Sequence, residues 1–87
     1  MKKIINGKKY DTETATLIHE TYKEFDGNYA QKWYFRKKNG EFFYEHNSSG
    51  IYGCRGITPL SLEEAKDILQ EELDGDKYEE IFGPVEE

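Results

Sequence analysis

The chain has 87 residues, one cysteine, thirteen aromatic residues and a formal net charge of −6. This length fits a single domain covering residues 1–87, and a lone thiol excludes the internal disulfide framework of small secreted proteins. No apolar run approaches the ~18 residues of a membrane-spanning helix, and Met1 leads into Asn6-Gly7 rather than a signal-peptide segment, so we expect a cytoplasmic protein.

The N-terminal part predicts strands. Asn6-Gly7 separates two short β-compatible runs, and both residues tolerate the positive φ angles of a tight turn, so residues 3–10 are predicted to form a hairpin. Residues 14–25 are ambiguous, because their apolar spacing is helical whereas their Thr and Tyr content favours strand. We predict a strand for this segment.

The central segment, residues 32–46, predicts a second hairpin with Asn39-Gly40 as a two-residue turn. Strand residues alternate between the two faces of a sheet. In the register that this turn sets, one face is an aromatic core, formed by Trp33, Phe35, Phe42 and Tyr44. The opposite face is predicted to be exposed and largely charged, and it includes Tyr34, Arg36 and Phe43.

Residues 47–56 are rich in Gly, Ser and Asn and predict a loop, with a possible short strand over residues 50–52. A helix is then predicted from Ser61, because Ser61 and Glu64 form a Ser-x-x-Glu capping box. Its apolar stripe consists of Leu62, Ala65, Ile68, Leu69 and Leu73, and Asp74-Gly75 is predicted to end it.

A second, short helix is predicted after Gly75, since Asp76 and Glu79 have the spacing of another capping box. Gly83-Pro84 should stop that helix and leave residues 84–87 as a frayed tail. The predicted fold class is therefore α+β. We expect an antiparallel β-meander of three to five strands (residues 1–58 mainly β), with one C-terminal helix and a short second helix (residues 61–83) packed on one face.

Catalytic chemistry is weakly supported by the sequence. Cys54 is the single thiol, and His19 and His46 are the only imidazoles, but no protease or thiol-transfer motif surrounds them. These side chains also lack the CxxC or HxxxH spacing of a metal site, and the glycines form no phosphate-binding loop. We predict a protein that is not an enzyme and that has no cofactor and no metal; an enzyme using Cys54 with a histidine is the competing hypothesis.

Nucleic-acid binding is an alternative that the sequence supports better than catalysis. Residues 33–38 interleave aromatic and basic side chains, as single-strand-binding sheets do. However, alternation assigns Trp33 and Phe35 to the core, and Glu41 and Glu45 bring the outward face close to neutrality. A sequence pI near 4.9 is also the reverse of the usual electrostatic footprint of such proteins.

Charge is strongly segregated along the chain. Residues 1–61 contain ten basic and seven acidic side chains, whereas residues 62–87 contain eleven acidic side chains and only Lys66 and Lys77. On the first helix the spacing predicts a continuous acidic row of Glu64, Asp67, Glu71 and Asp74, roughly 15 Å long. The residues after it add further carboxylates: Asp76, Glu79, Glu80, Glu86 and Glu87. Such a row can present carboxylates to Arg and Lys side chains that normally hold phosphate, which is the hypothesis of a DNA mimic. A solvated, solubilising helix face is the simpler interpretation of the same charges.

Three motifs carry a resemblance to a known group of proteins. They are residues 2–15 (KKIINGKKYDTETA), the central hairpin over residues 35–44, and residues 57–65 (ITPLSLEEA). Together they resemble a family of small orphan proteins carried by phages and integrative elements of low-GC Gram-positive bacteria. In that family the segment after the first motif is usually a strand, and a Gly-Gly-rich segment follows the hairpin where this chain has residues 46–56.

The resemblance implies a mobile-element protein inside a bacterial host cell. Small acidic proteins of this kind often counter host defences, and similar ones include inhibitors of CRISPR effector nucleases. We therefore expect a binding protein that blocks a basic nucleic-acid-binding surface of a host defence nuclease, with Cas9 as the foremost candidate. The acidic row would make the contact, and the exposed hairpin residues Tyr34, Arg36 and Phe43 would form a second patch. A nucleic-acid-binding accessory or regulatory protein that uses the basic-aromatic hairpin is the alternative.

Overall fold

The computed structural model describes residues 1–50 and 53–86. Within these residues six strands precede two helices: β1 (Lys2–Ile5), β2 (Lys8–Asp11), β3 (Thr16–Phe25), β4 (Asn28–Arg36), β5 (Phe42–Ser48), β6 (Arg55–Leu60), α1 (Leu62–Glu72) and α2 (Gly75–Phe82). The predicted α+β class is confirmed. β1 and β2 form a two-stranded sheet, and β3-β4-β5-β6 form an antiparallel meander. None of the described helices is long and apolar enough to cross a membrane.

Two of the hairpins have tight turns in which both central residues are left-handed. Asn6 and Gly7, with φ angles of 52° and 76°, join β1 to β2, as predicted. Asp26 and Gly27, at 47° and 77°, join β3 to β4 in the same way. The strand predicted for residues 14–25 is thereby confirmed as β3. Asp26-Gly27, directly before β4, is a strong hairpin motif that the sequence analysis missed.

The predicted register of the central hairpin is wrong by one residue. Lys37 N–H donates to the Glu41 carbonyl at 2.7 Å, and Gly40 N–H donates to the Lys37 carbonyl at 2.9 Å. The loop therefore has three residues and ends at Gly40 with φ 93°, instead of the predicted two-residue turn. Asn39 stabilises this loop, because its side-chain oxygen accepts the Glu41 N–H at 3.0 Å.

This slip changes which side chains share a face, since strand residues alternate. Phe43 now lies opposite Phe35 and Phe42 opposite Arg36, so the prediction of one aromatic core face is wrong. Phe43 and Phe35 belong to a core cluster with Tyr10 and Ile57, beneath the β1–β2 hairpin. On the other face, Phe42 and Tyr34 are buried on the helical side of the sheet.

The helices cover only part of that second face. The Phe42 and Phe82 ring centroids are 5.2 Å apart, and Arg36 Nη1 donates to the Ile81 carbonyl at 3.2 Å. Within α1, Ala65 and Leu69 are fully buried. The predicted capping box at Ser61 is confirmed, with both reciprocal hydrogen bonds formed.

Three helical details differ from expectation. Leu62, the first residue of α1, is predicted to lie in the apolar stripe but is 54% exposed, whereas Ala65 three residues later is fully buried. α1 ends at Glu72, earlier than the predicted Asp74-Gly75. Asp74 then caps α2 by accepting the Lys77 N–H at 2.8 Å, so the capping box predicted at Asp76 is wrong. The predicted short strand over residues 50–52 falls largely outside the described residues.

Glu41 joins the small sheet to the large one. Its carboxylate accepts hydrogen bonds from Lys8 at 2.7 Å, Asn39 at 2.8 Å and Lys37 at 3.0 Å. These contacts, the Lys8 bond foremost, lower the pKa of Glu41 from 4.5 to about 2. The same bond raises the pKa of Lys8. The Lys37 ammonium also lies 4.2 Å from the centroid of the Tyr10 ring, which places it over the core cluster.

We expect Glu41→Gln to lower the melting temperature at pH 7, by an amount that shrinks as the pH falls below about 4.5 and vanishes below about 2. A depressed carboxyl pKa stabilises the fold above the pKa of the unfolded chain, about 4.5, and this contribution is lost as the pH falls through about 2. Melting curves of both proteins between pH 7 and pH 2 measure the difference. The exposed Glu13→Gln is the matched control, and an equal pH profile for the two variants would contradict the assignment.

Candidate functional site

The buried residues of α1 show which of its carboxylates face solvent. Ala65 and Leu69 face the sheet, so positions about half a turn away face solvent. Glu64, Asp67 and Glu71 are exposed and lie three and four residues apart, which places them on one stripe. At ~1.5 Å per residue the stripe is roughly 10 Å long. The structure thus brings together three of the predicted acidic residues on one helix.

The predicted row is shorter than expected at one end. Asp74 lies beyond the end of α1, and its carboxylate is engaged as the N-cap of α2. Glu64 is engaged at the other end, because it accepts the Ser61 N–H at 3.0 Å, and this backbone hydrogen bond lowers the pKa of Glu64. Asp67 and Glu71 are left as the members of the α1 stripe with no capping role.

α2 also carries exposed carboxylates. Asp76, Glu79 and Glu80 are all exposed on this helix, whose Tyr78, Ile81 and Phe82 are partly buried. Among the described residues, two of the acidic side chains of the helices contact a basic residue: Glu80 lies 3.7 Å from the Lys77 ammonium, and Glu72 lies 3.4 Å from the His19 ring. The outward carboxylates of Asp67, Glu71, Asp76 and Glu79 have no ion-pair partner within this described part of the chain.

The predicted second patch on the hairpin is wrong. Tyr34 is 5% exposed and Phe43 is fully buried, so neither ring is available to a partner. Arg36 is directed to the end of α2, where it bonds the Ile81 carbonyl. The physical reason is the register slip, which moves Phe43 into the core beneath β1–β2, together with the helices, which cover the face carrying Tyr34. Burial also raises the pKa of Tyr34, with a smaller contribution from the Glu72 charge.

Cys54 and His46 meet where the chain enters β6 beside β5. The Cys54 Sγ atom lies 3.6 Å from His46 Nδ1, and the thiol is exposed. The strand pairing places His46 beside Gly56, and Cys54 directly precedes β6. A thiol beside an imidazole is the first requirement for a cysteine nucleophile. Catalysis also requires a third group that orients the imidazole and hydrogen-bond donors that stabilise an oxyanion. The described residues contain no group of three metal-ligating side chains.

The open half of the helix-side face carries basic and aromatic side chains that the sequence analysis did not group together. The register aligns Thr21 with Lys32 and Lys32 with His46, and the adjacent row aligns His19, Tyr34 and Tyr44. The Lys32 ammonium lies 5.0 Å from the Tyr44 ring centroid. A groove of about 500 Å³ runs along this face between β3 and the end of α1. It is lined by His19, Thr21, Lys23, Ala30, Lys32, Tyr34 and Glu72 among others.

Known proteins provide no further guide to these surfaces. Comparison of the chain with protein families, with curated proteins and with solved structures finds no match.

Proposed function

We propose that this chain is an inhibitory binding protein that uses the outward carboxylates of α1 and α2 to occupy a basic, nucleic-acid-binding surface of a partner protein. One observation carries the proposal. Asp67, Glu71, Asp76 and Glu79 are exposed and, among the described residues, have no basic partner to neutralise them. Carboxylates that are fixed on helices and left unpaired are available for a cationic surface.

The electrostatics favour a protein partner with Arg and Lys side chains. Such side chains hold phosphate oxygens through charge-assisted hydrogen bonds, and carboxylates are the acceptors that best replace phosphate there. Residues 62–87 carry eleven acidic and two basic side chains, so this part of the molecule repels nucleic acid and attracts a basic channel. Binding of this kind should weaken as the salt concentration rises, because dissolved ions screen the attraction between the exposed charges of the two surfaces.

The target class follows from the resemblance to small proteins of phages and integrative elements. A host defence nuclease has the required basic surface, and Cas9 combines a positively charged heteroduplex channel with Arg side chains that bind the short DNA motif flanking its target. We therefore propose Cas9 as the foremost target. The inhibitor would compete with DNA for these cationic groups and would need no catalysis, cofactor or metal.

A second candidate function is nucleic-acid binding by the chain itself. The observation that favours it is the open sheet face, where Lys23 and Lys32 line a groove of about 500 Å³ and the Lys32 ammonium lies 5.0 Å from the Tyr44 ring centroid. Aromatic rings and amines on a sheet are typical of surfaces that bind single strands. The overall charge of −6 opposes this function, since long-range repulsion acts on any polyanion that approaches.

A DNA-binding assay separates the two functions. We expect the chain alone to leave duplex and single-stranded DNA unshifted at low salt, and to reduce DNA binding strongly when it is incubated with guide-loaded Cas9 beforehand. Addition after DNA has bound should inhibit much less, because the cationic surface is then occupied. A shift of DNA by the chain alone would support the alternative, and undiminished DNA binding by Cas9 would contradict the proposed target.

A further inference from the structure

β3 is an unusually open edge of the large sheet. It is ten residues long and, among the strands that the structure describes, it pairs only with β4. Three of the six large apolar side chains that are exposed within the described residues belong to it: Leu17 at 50%, Tyr22 at 56% and Phe25 at 57%. An edge of this length presents a row of unpaired backbone N–H and C=O groups, which is a template for another strand.

The hydrogen-bond pattern of β4 shows which residues of β3 point outward. Tyr29 N–H donates to Ser49 Oγ at 2.8 Å, and its carbonyl accepts the Ser49 N–H at 3.0 Å, so both groups face away from β3. Glu24, which lies opposite Tyr29, therefore directs its own N–H and C=O to the free edge. Because the pattern alternates, Tyr22 and Glu20 do the same along the regular part of the strand.

We propose that β3 pairs antiparallel with β3 of a second copy of this chain, joining two four-stranded sheets into one continuous sheet. The surface is separate from the helix carboxylates that carry the proposed function. A closed dimer of this kind has its two-fold axis perpendicular to the sheet, so each face continues across the junction. Residues that lie opposite each other must then come from the same face, which restricts the possible registers.

Four registers place the two-fold axis at one of residues 20–23, in the middle of β3, and charge favours one of them. An axis at Glu20 places that carboxylate opposite its own copy, an axis at Tyr22 places Glu20 opposite Glu24 twice, and an axis at Lys23 places two ammonium groups together. Like charges directly opposite are destabilising in a sheet. An axis at Thr21 avoids all three, since it places Glu20 opposite Tyr22 and His19 opposite Lys23.

The same register gives a complementary contact on the helix side. Glu72 lies 3.4 Å from His19 in its own chain. In this register Lys23 of the second copy lies opposite His19 and therefore beside the Glu72 carboxylate. The two-fold symmetry of the dimer forms this contact twice. β3 is thus complementary to a second β3 both in its outward hydrogen-bonding groups and in its charges. This self-complementarity favours a second copy of the chain, over an unrelated extended segment, as the partner of the free edge.

The decisive variant is Tyr22→Pro, because proline removes an N–H that points to the free edge and therefore leaves the β3–β4 hydrogen bonds intact. Tyr22→Thr is the matched control, since it removes the ring and keeps the N–H. We expect the wild-type chain to dimerise weakly, with a dissociation constant on the order of 10–100 µM as is usual for small interfaces. Sedimentation equilibrium should show Tyr22→Pro as a monomer and Tyr22→Thr as a weakened dimer, both with wild-type circular dichroism.

Charge variants test the register even if the proline variant fails to fold. Lys23→Glu should weaken association at least tenfold, and the swap Lys23→Glu/Glu72→Lys should restore it. Glu20→Gln should tighten association severalfold, because Glu20 lies diagonal to Glu24 of the second copy. A wild-type chain that stays monomeric to ~1 mM, a folded Tyr22→Pro variant that still dimerises, or a free edge that accepts only an unrelated extended peptide would each overturn the proposal.

Discussion

The double variant Asp67→Lys/Glu71→Lys is expected to lose at least ~100-fold in affinity for the target and to lose inhibition with it. Each charge-assisted contact to Arg or Lys contributes about 1.5–3 kcal/mol, and reversal adds repulsion to the loss, so two positions account for a change of that size. The fold should be unaffected, because both side chains are exposed and neither has an ion-pair partner among the described residues. Binding by calorimetry and inhibition of DNA binding are the measurements.

The control must change the net charge equally. Glu13→Lys/Glu86→Lys also reverses two exposed carboxylates, but these lie outside the two helices and outside β3. If both double variants weaken binding by the same factor, overall charge and not the α1 surface is responsible. Unchanged affinity in Asp67→Lys/Glu71→Lys would refute the proposed mechanism. Glu64 is left out of this test because its substitution also removes the capping box.

Phe43→Ala is expected to destabilise the fold by about 3–5 kcal/mol, the usual cost of deleting a buried phenylalanine ring. Phe43 has no exposed surface, its ring stacks on Phe35 with centroids 5.1 Å apart, and Tyr10 meets its edge at 5.5 Å. A domain of 87 residues has a free energy of unfolding of about 4–13 kcal/mol, so the loss removes a large part of the stability. Urea denaturation followed by circular dichroism measures it.

Phe25→Ala is the matched control, since it deletes the same ring from a position that is 57% exposed. We expect its effect on unfolding to remain below about 1 kcal/mol. Equal destabilisation by the two substitutions would mean that Phe43 is not the centre of the core. Phe43→Leu, which keeps most of the apolar volume, should retain target binding, because a buried side chain cannot contact a partner.

Local sequence rules were sufficient where neighbouring residues decide the structure. The Asn6-Gly7 turn and the capping box at Ser61 were predicted correctly, because each depends on a few residues and their backbone angles. The same rules failed at Asn39-Gly40, where two hairpin loops of different length were both compatible with the sequence. That choice moved Phe43 from the predicted exposed patch into the core.

The sequence by itself determined the α+β class, the order of most elements and the concentration of acidic residues in the last third of the chain. Only the tertiary structure decided which carboxylates are available. Glu64 and Asp74 are engaged as caps and Glu72 pairs with His19, more than fifty residues away in the chain, whereas Asp67 and Glu71 face solvent. The physical reason is that charge is fixed by composition, while pairing and burial depend on which distant elements the strand register brings together.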